Sequence, residues 1–180
     1  ESPHGSLAAV GVAFLLVVAL NRALREAGWY EAAGKLPSPN LMQWLDLVAL
    51  GTVCDVVPLV GLNRALVSQG LKVIAQRGNR GIAALCDVAQ ISETPDSYHL
   101  GYLLGPRINA GGRVGEAALG AHLLSLENPD EVLAIARKLD GYNQERREIE
   151  SQVLDQAIAQ VEALAESPAL VLATGEGWHP

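Results

Sequence analysis

The feature that most constrains this chain is a stripe of side chains spaced three or four residues apart between Asn128 and Ala165. Val132, Ile135, Leu139, Tyr142, Arg146, Ile149, Val153, Ala157, Val161 and Leu164 recur at helical period. The start is marked as well: Asn128 can cap, Pro129 suits the first helical position, and Glu131 can close a capping box. One helix over this span would be about 55 Å long at a rise of about 1.5 Å per residue, a rod around which the rest must be built. Its middle, Asp140 to Glu148, is polar enough to cross solvent between two domains. Asp140-Gly141 could instead break it in two. Leu170 to Ala173 then reads as a buried strand, and a new domain opens there.

The rest of the chain reads as helices divided by turn chemistry. Leu7 to Leu20 holds only small and apolar residues. It is shorter than the roughly 20 residues of a membrane span and lacks the basic start of a signal peptide, so no membrane association is expected. The pattern continues to Ala27 as one largely buried helix closed by Gly28. Gly34 to Asn40 is a loop, Leu41 to about Leu50 a helix, and Gly51 to Pro58 a stretch whose glycine, β-branched residues and proline resist helix. Gly61 to Arg77 forms a helix weakened by Gly70, and shorter helices cover Gly81 to Val88 and Gly115 to Leu124. Ser92 to Asp96 is a loop, and His99 to Leu104 a brief apolar turn.

Charge and cysteine content exclude some functions. A net charge of −7 and a pI near 5.0 argue against a general nucleic-acid coat protein, though not against a local basic groove. Cys54 and Cys86 have no CxxC spacing and read as buried thiols in a reducing cytosol, not as a zinc site or a disulfide. Trp29 and Trp44 read as core residues.

Three places can carry chemistry. Asp55 stands alone among apolar residues from Ala49 to Leu59, and a buried charge needs a metal ion, an arginine or backbone amides as partner. Arg107 to Arg113 reads as a loop with two arginines, Asn109 and the pair Gly111-Gly112. Such glycines let amides approach an anion that the arginines grip, and the next helix would add its positive N-terminus. The alternative is a helix connection whose arginines pair with Glu116 or another carboxylate. His179 follows Gly175-Glu176-Gly177-Trp178 beyond the expected strand, where binding loops lie, or is simply a polar end. Arg146-Arg147, between Glu145 and Glu148, reads as a solvated face laced with helical ion pairs.

The segments Leu47 to Leu59, Leu104 to Arg113 and Gly175 to Pro180 resemble, in that order, three signatures of the RecJ family in the DHH phosphoesterase superfamily. Val10 to Phe14 and Leu139 to Arg147 are also similar to the family pattern, so the resemblance spans nearly all 180 residues. It implies a two-metal phosphodiester hydrolase that uses Mn2+ or Mg2+ and releases nucleotides from the 5′ end of single-stranded DNA in repair and recombination. Asp55 matches the metal-ligand and catalytic aspartate of its motif, in keeping with the preference of hard cations for carboxylate oxygen. Arg107, Asn109, Gly111, Gly112 and Arg113 match the loop that approaches substrate phosphate, and His179 a position in the second domain. The implied setting is a cytoplasmic monomer that works on single-stranded DNA, with a single-strand-binding protein as a further partner.

The resemblance also sets the expected fold class: an α/β family of which this chain is a mainly α-helical piece. Residues 1–128 correspond to the distal part of the catalytic domain, 129–166 to a connecting helix, and 167–180 to the first strand of a second domain, DHHA1. With Glu1 in place of Met, and only a few residues after Ala173, the chain reads as cut from something longer. The family's upstream aspartate and histidine motifs have no counterpart here, and one carboxylate cannot assemble a two-metal site, so the piece alone is expected to be inactive. Two other readings stay open. One is a phosphoesterase for short oligonucleotides, dinucleotides or pyrophosphate; the other is a helical interaction module in which Asp55 caps a turn and Arg107 pairs internally.

Overall fold

The structure, a computed structural model, describes residues 4–32, 34, 36–164 and 168–178. Among the described residues every regular element is helical: α1 (Ala9–Glu26), α2 (Trp29–Ala32), α3 (Leu45–Cys54), α4 (Gly61–Ile74), α5 (Arg80–Val88), α6 (Gly105–Val114), α7 (Leu119–Ser125) and α8 (Pro129–Glu162). A 3-10 turn, Leu41–Trp44, leads into α3, and a π-helical segment, His99–Leu104, runs straight into α6. The mainly helical character expected of the chain holds.

The core lies where α3, α4, α5, the π segment, α7 and the first half of α8 meet, around fully buried Leu85, Leu100, Leu104, Leu123 and Leu139. Two segments that looked unfit for helix are helical because packing outweighs local propensity. Gly51 to Cys54 completes α3: Thr52 is buried, and a Cβ on Gly51 would lie 2.9 Å from Val10 Cγ1, so the glycine admits α1. Gly70 does not interrupt α4. It lets the α3 backbone cross closely, since a Cβ there would collide with the Leu45 carbonyl.

The stretch from Gly105 to Arg113 is not a loop. Pro106 sits in the first turn of α6, where a missing N–H costs nothing. Gly105 and Gly111 serve close approach, the first to Cys54 and the second to the Glu116 carbonyl. The helix expected from Gly115 begins only at Leu119, because Gly115 takes up φ −135°, ψ −125° against the Tyr142 ring.

Other expectations about burial change. In α1 only Gly11 and Asn21 are buried; Leu7, Val10 and Phe14 pack on Leu45, Val48 and Leu66, and the opposite apolar side faces outward. Even so, among the described residues no helix is long and apolar enough to cross a membrane. Trp29 and Trp44 are exposed and not core residues.

The long helix forms as one piece of 34 residues, capped by Asn128 Oδ1, which accepts from the backbone N–H groups of Asp130 (3.0 Å) and Glu131 (3.4 Å). Asp140-Gly141 does not break it. Its buried residues, Val132, Ala136, Leu139 and Asn143, all lie in the first half. Along the second half the segment 168–178 leans on it: Gln160 Nε2 donates to the Thr174 carbonyl and the Thr174 N–H donates to Gln160 Oε1. Leu170 to Ala173 forms no strand. A strand needs a neighbouring ladder, none is described beside it, and Leu170 and Leu172 are 83% and 84% exposed.

Candidate functional site

Asp55 caps the C-terminus of α3, its N–H bonded to the Gly51 carbonyl at 3.0 Å. Its carboxylate is exposed, not buried as the apolar run suggested, and meets no arginine and no backbone amide among the described residues. The apolar run leaves the core at this point. Val56 is 88% exposed and holds φ at 57°, a left-handed conformation that a β-branched side chain resists. Asn63, buried in α4, fixes the turn into that helix by donating from Nδ2 to the carbonyls of Pro58 (3.0 Å) and Ser6 (2.8 Å).

An acid at the negative end of a helix is mismatched by about 0.3–1 kcal/mol, and a strained valine beside it adds about 1–2 kcal/mol. Both costs sit next to one unpaired carboxylate. Val56→Gly should therefore raise stability by about 0.5–1 kcal/mol after the entropy of glycine is subtracted, a rise in melting temperature of about 1–4 °C. Circular-dichroism melting checks this.

A cleft of about 170 Å³ is lined by Cys54, Gly101, Gly105, Pro106, Asn109, Arg113 and Arg146; Asp55 follows Cys54 in the chain but is not among the lining residues. Burial pushes the Cys54 thiol up to about 11, so at neutral pH it stands in the cleft wall as a protonated thiol. Asn109 and Arg113 come from α6, one turn apart. Arg113 is exposed and makes no hydrogen bond or ion pair among the described residues. Arg146 reaches in from α8, its Nη1 donating to Glu150 Oε2 at 2.7 Å and its Nη2 to Asn143 Oδ1 at 3.4 Å. Its Nε is buried and meets no acceptor among the described residues. Cationic and amide donors thus gather in one cleft, an arrangement suited to a phosphate.

Of the expected site residues, Asn109 and Arg113 enter this cleft. Arg107 is not among its lining residues: its Nε donates to Asp140 Oδ1 at 2.8 Å and its Nη1 to the Leu103 carbonyl at 2.8 Å. Internal pairing of Arg107 is the arrangement the interaction-module reading anticipates, with Asp140 as the carboxylate; Glu116 instead holds Lys138. Gly111 and Gly112 lie inside α6, so their amides belong to helical hydrogen bonds and do not form the anion cradle expected of a loop. His179 lies outside the described residues; its neighbour Trp178 donates from Nε1 to Gln156 Oε1 at 2.8 Å. Arg146, expected on a solvated face, stands half-buried in the cleft. Its signal is its place in the apolar stripe of α8, where Arg147 does not fall.

No protein-family profile matches the chain. Known proteins do. It is 42% identical over 182 residues to the single-stranded-DNA-specific exonuclease RecJ of Salmonella typhimurium, covering 100% of this chain and 31% of that protein. It is 44% identical over 167 residues to the protein of the same name from Escherichia coli, covering 92% and 29%. The chain is a RecJ-family segment. RecJ from Thermus thermophilus, crystallised with Mg2+, superposes with a TM-score of 0.63 at 34% identity over 73% of this chain and 20% of that one. A manganese-bound exonuclease RecJ gives the same TM-score and identity over 73% and 33%. The segment therefore spans about a third or less of the RecJ proteins it matches.

Proposed function

We propose that this segment forms part of a metal-dependent exonuclease that hydrolyses phosphodiester bonds from the 5′ end of single-stranded DNA. The observation that carries the reading is the cleft itself: Asn109, Arg113 and Arg146 line it together with Cys54, the chain neighbour of Asp55. The names of its relatives, single-stranded-DNA-specific exonucleases, give the substrate class. In this reading Asn109 and Arg113 hold a substrate phosphate, and Arg107, locked on Asp140, fixes α6 against α8. Gly111 lets α6 pack closely, and His179 serves the second domain.

The metal is Mn2+ or Mg2+, as in the RecJ crystals. Asp55 suits such a hard cation as one oxygen donor, exposed and already facing the negative end of a helix. Among the described residues no group of three or more His, Cys, Asp or Glu could hold the ion; in this reading Asp55 supplies one corner of the site. A divalent ion bound there polarises the phosphoryl oxygen and lowers the pKa of a bound water. The segment's own share is to orient the phosphate.

The same proposal divides the chain at residues 128 and 166 into catalytic part, connecting helix and start of a second domain. The loss of burial along α8 after Asn143 supports the connecting role. Single-stranded DNA is the partner, with a single-strand-binding protein as recruiter, and the working form is a cytoplasmic monomer. These points rest on the family resemblance, and light scattering of the purified protein tests the last.

The experiment compares two lengths of protein and two substrates. With Mn2+, the 180 residues alone should leave 5′-labelled single-stranded DNA intact, because one carboxylate holds no two-metal site. The full-length protein that carries them should shorten long single strands and spare dinucleotides and pyrophosphate. Preference for the small substrates would replace the exonuclease by the phosphoesterase reading. Activity of the segment alone would overturn the ligand count.

A further inference from the structure

The cleft does not end at Arg146. Arg113 and Arg146 also border a second groove of about 350 Å³, lined by Val114, Ile149, Glu150 and Val153, so the two spaces share both arginines. Glu150 lines the second groove, its side chain 69% exposed and its carboxylate 2.7 Å from Arg146 Nη1. We propose that Glu150 occupies the place of a substrate phosphate on Arg146, making Arg146 a phosphate-contact residue whose availability Glu150 sets. This rests on the reading of the cleft as a phosphodiester site and assigns the residue that regulates it.

Three observations carry the inference. First, the ion pair is incomplete: Glu150 takes one nitrogen of Arg146, and the buried Nε meets no acceptor among the described residues. A phosphate entering the cleft can take the Nη1 that Glu150 holds and offers more acceptor oxygens than a carboxylate. Second, the pair is weak. It is largely exposed on the glutamate side, and its order along the helix, arginine four residues before glutamate, is the less favourable one. Third, the arginine is held for use. Asn143, buried one turn earlier on α8, accepts from Nη2 at 3.4 Å, a second tie on the guanidinium that does not involve Glu150.

Carboxylate and phosphate compete for the same donor, so removing the carboxylate should strengthen binding of DNA. The test measures anisotropy of a 3′-labelled oligodeoxythymidylate with the full chain in EDTA, where hydrolysis does not intervene. Glu150→Gln should tighten binding about two- to fivefold, the worth of an exposed ion pair. Arg146→Gln should weaken it about tenfold and reduce the slope of log affinity against log salt by about one. The double variant should match Arg146→Gln alone, since Glu150 acts only through Arg146.

Arg113→Gln serves as the reference for the cleft. If it weakens binding while Glu150→Gln and Arg146→Gln leave it unchanged, the cleft binds DNA and the role of Arg146 and Glu150 is overturned. If Arg113→Gln also has no effect, the reading of the cleft falls with it. A gain from Glu150→Gln that persists when Arg146 is Gln would mark general charge repulsion and overturn the inference as well. Melting curves of each variant separate these outcomes from unfolding.

Discussion

Replacing Asp55 by Asn in the full-length protein should lower metal-dependent nucleotide release by about a thousandfold while leaving the fold slightly more stable. The two effects have opposite signs because the carboxylate contributes nothing to the fold that an amide cannot. It is exposed, without a hydrogen bond or ion pair among the described residues, and it faces the carbonyl end of α3. Removing its charge relieves a mismatch of about 0.3–1 kcal/mol. A thousandfold loss is about 4 kcal/mol of transition-state stabilisation, in the range a divalent ion supplies to phosphoryl chemistry. Release of labelled nucleotides gives the rate, calorimetric titration of Mn2+ the affinity, and melting the stability. Full activity and unchanged metal affinity in Asp55→Asn would remove the ligand assignment. Loss of activity together with loss of stability would instead make Asp55 a structural cap.

Where the sequence could be read correctly, the signal was local and redundant. Asn128, Pro129 and the stripe from Val132 onward each point to α8, and the helix forms as one piece. Where the reading failed, a residue acted through a distant contact. Gly51, Gly70 and Gly105 look like helix breakers by propensity, yet each stands where another element comes within the reach of a Cβ: Val10, Leu45 and Cys54 respectively. Those partners lie 41, 25 and 51 residues away along the chain, and no local pattern reports them.

The candidate site divides in the same way. Asn109 and Arg113 line the cleft from a helix and not from the loop the motif suggested, and Asp55 is exposed where its apolar neighbours implied burial. The neighbours are apolar because α3 is buried up to Thr52; the chain then turns out of the core at Val56. Arg146 was visible only as a charge within an apolar stripe. That pattern has two explanations, a snorkelling side chain or a donor kept for a ligand, and only the third dimension chooses.

Arg107 and Arg113 stand in one motif, yet their surroundings differ, and Arg107→Ala should expose the difference. Arg107 and Asp140 are only 14% and 20% exposed; a second bond from Arg107 supplies the Leu103 carbonyl, and Gln144 donates to the other oxygen of Asp140 at 3.1 Å. Truncation leaves Asp140 as an uncompensated, mostly buried charge, which costs about 3–5 kcal/mol when burial is complete. Allowing for the remaining exposure, the expected loss is about 3 kcal/mol, a fall in melting temperature of about 6–12 °C. Asp140→Ala should cost a similar amount, and the double variant less than the sum, because the second truncation removes a charge the first has orphaned. Arg107→Lys should recover only part, since an ammonium cannot reproduce the fork that spans Asp140 and Leu103. Under conditions where the variant is folded, the salt slope of DNA binding should be unchanged by Arg107→Ala and reduced by about one in Arg113→Gln. A reduced slope for Arg107→Ala with little loss of stability would mean that Arg107 leaves Asp140 for the substrate, and the pairing would then be a resting state, not a fastening.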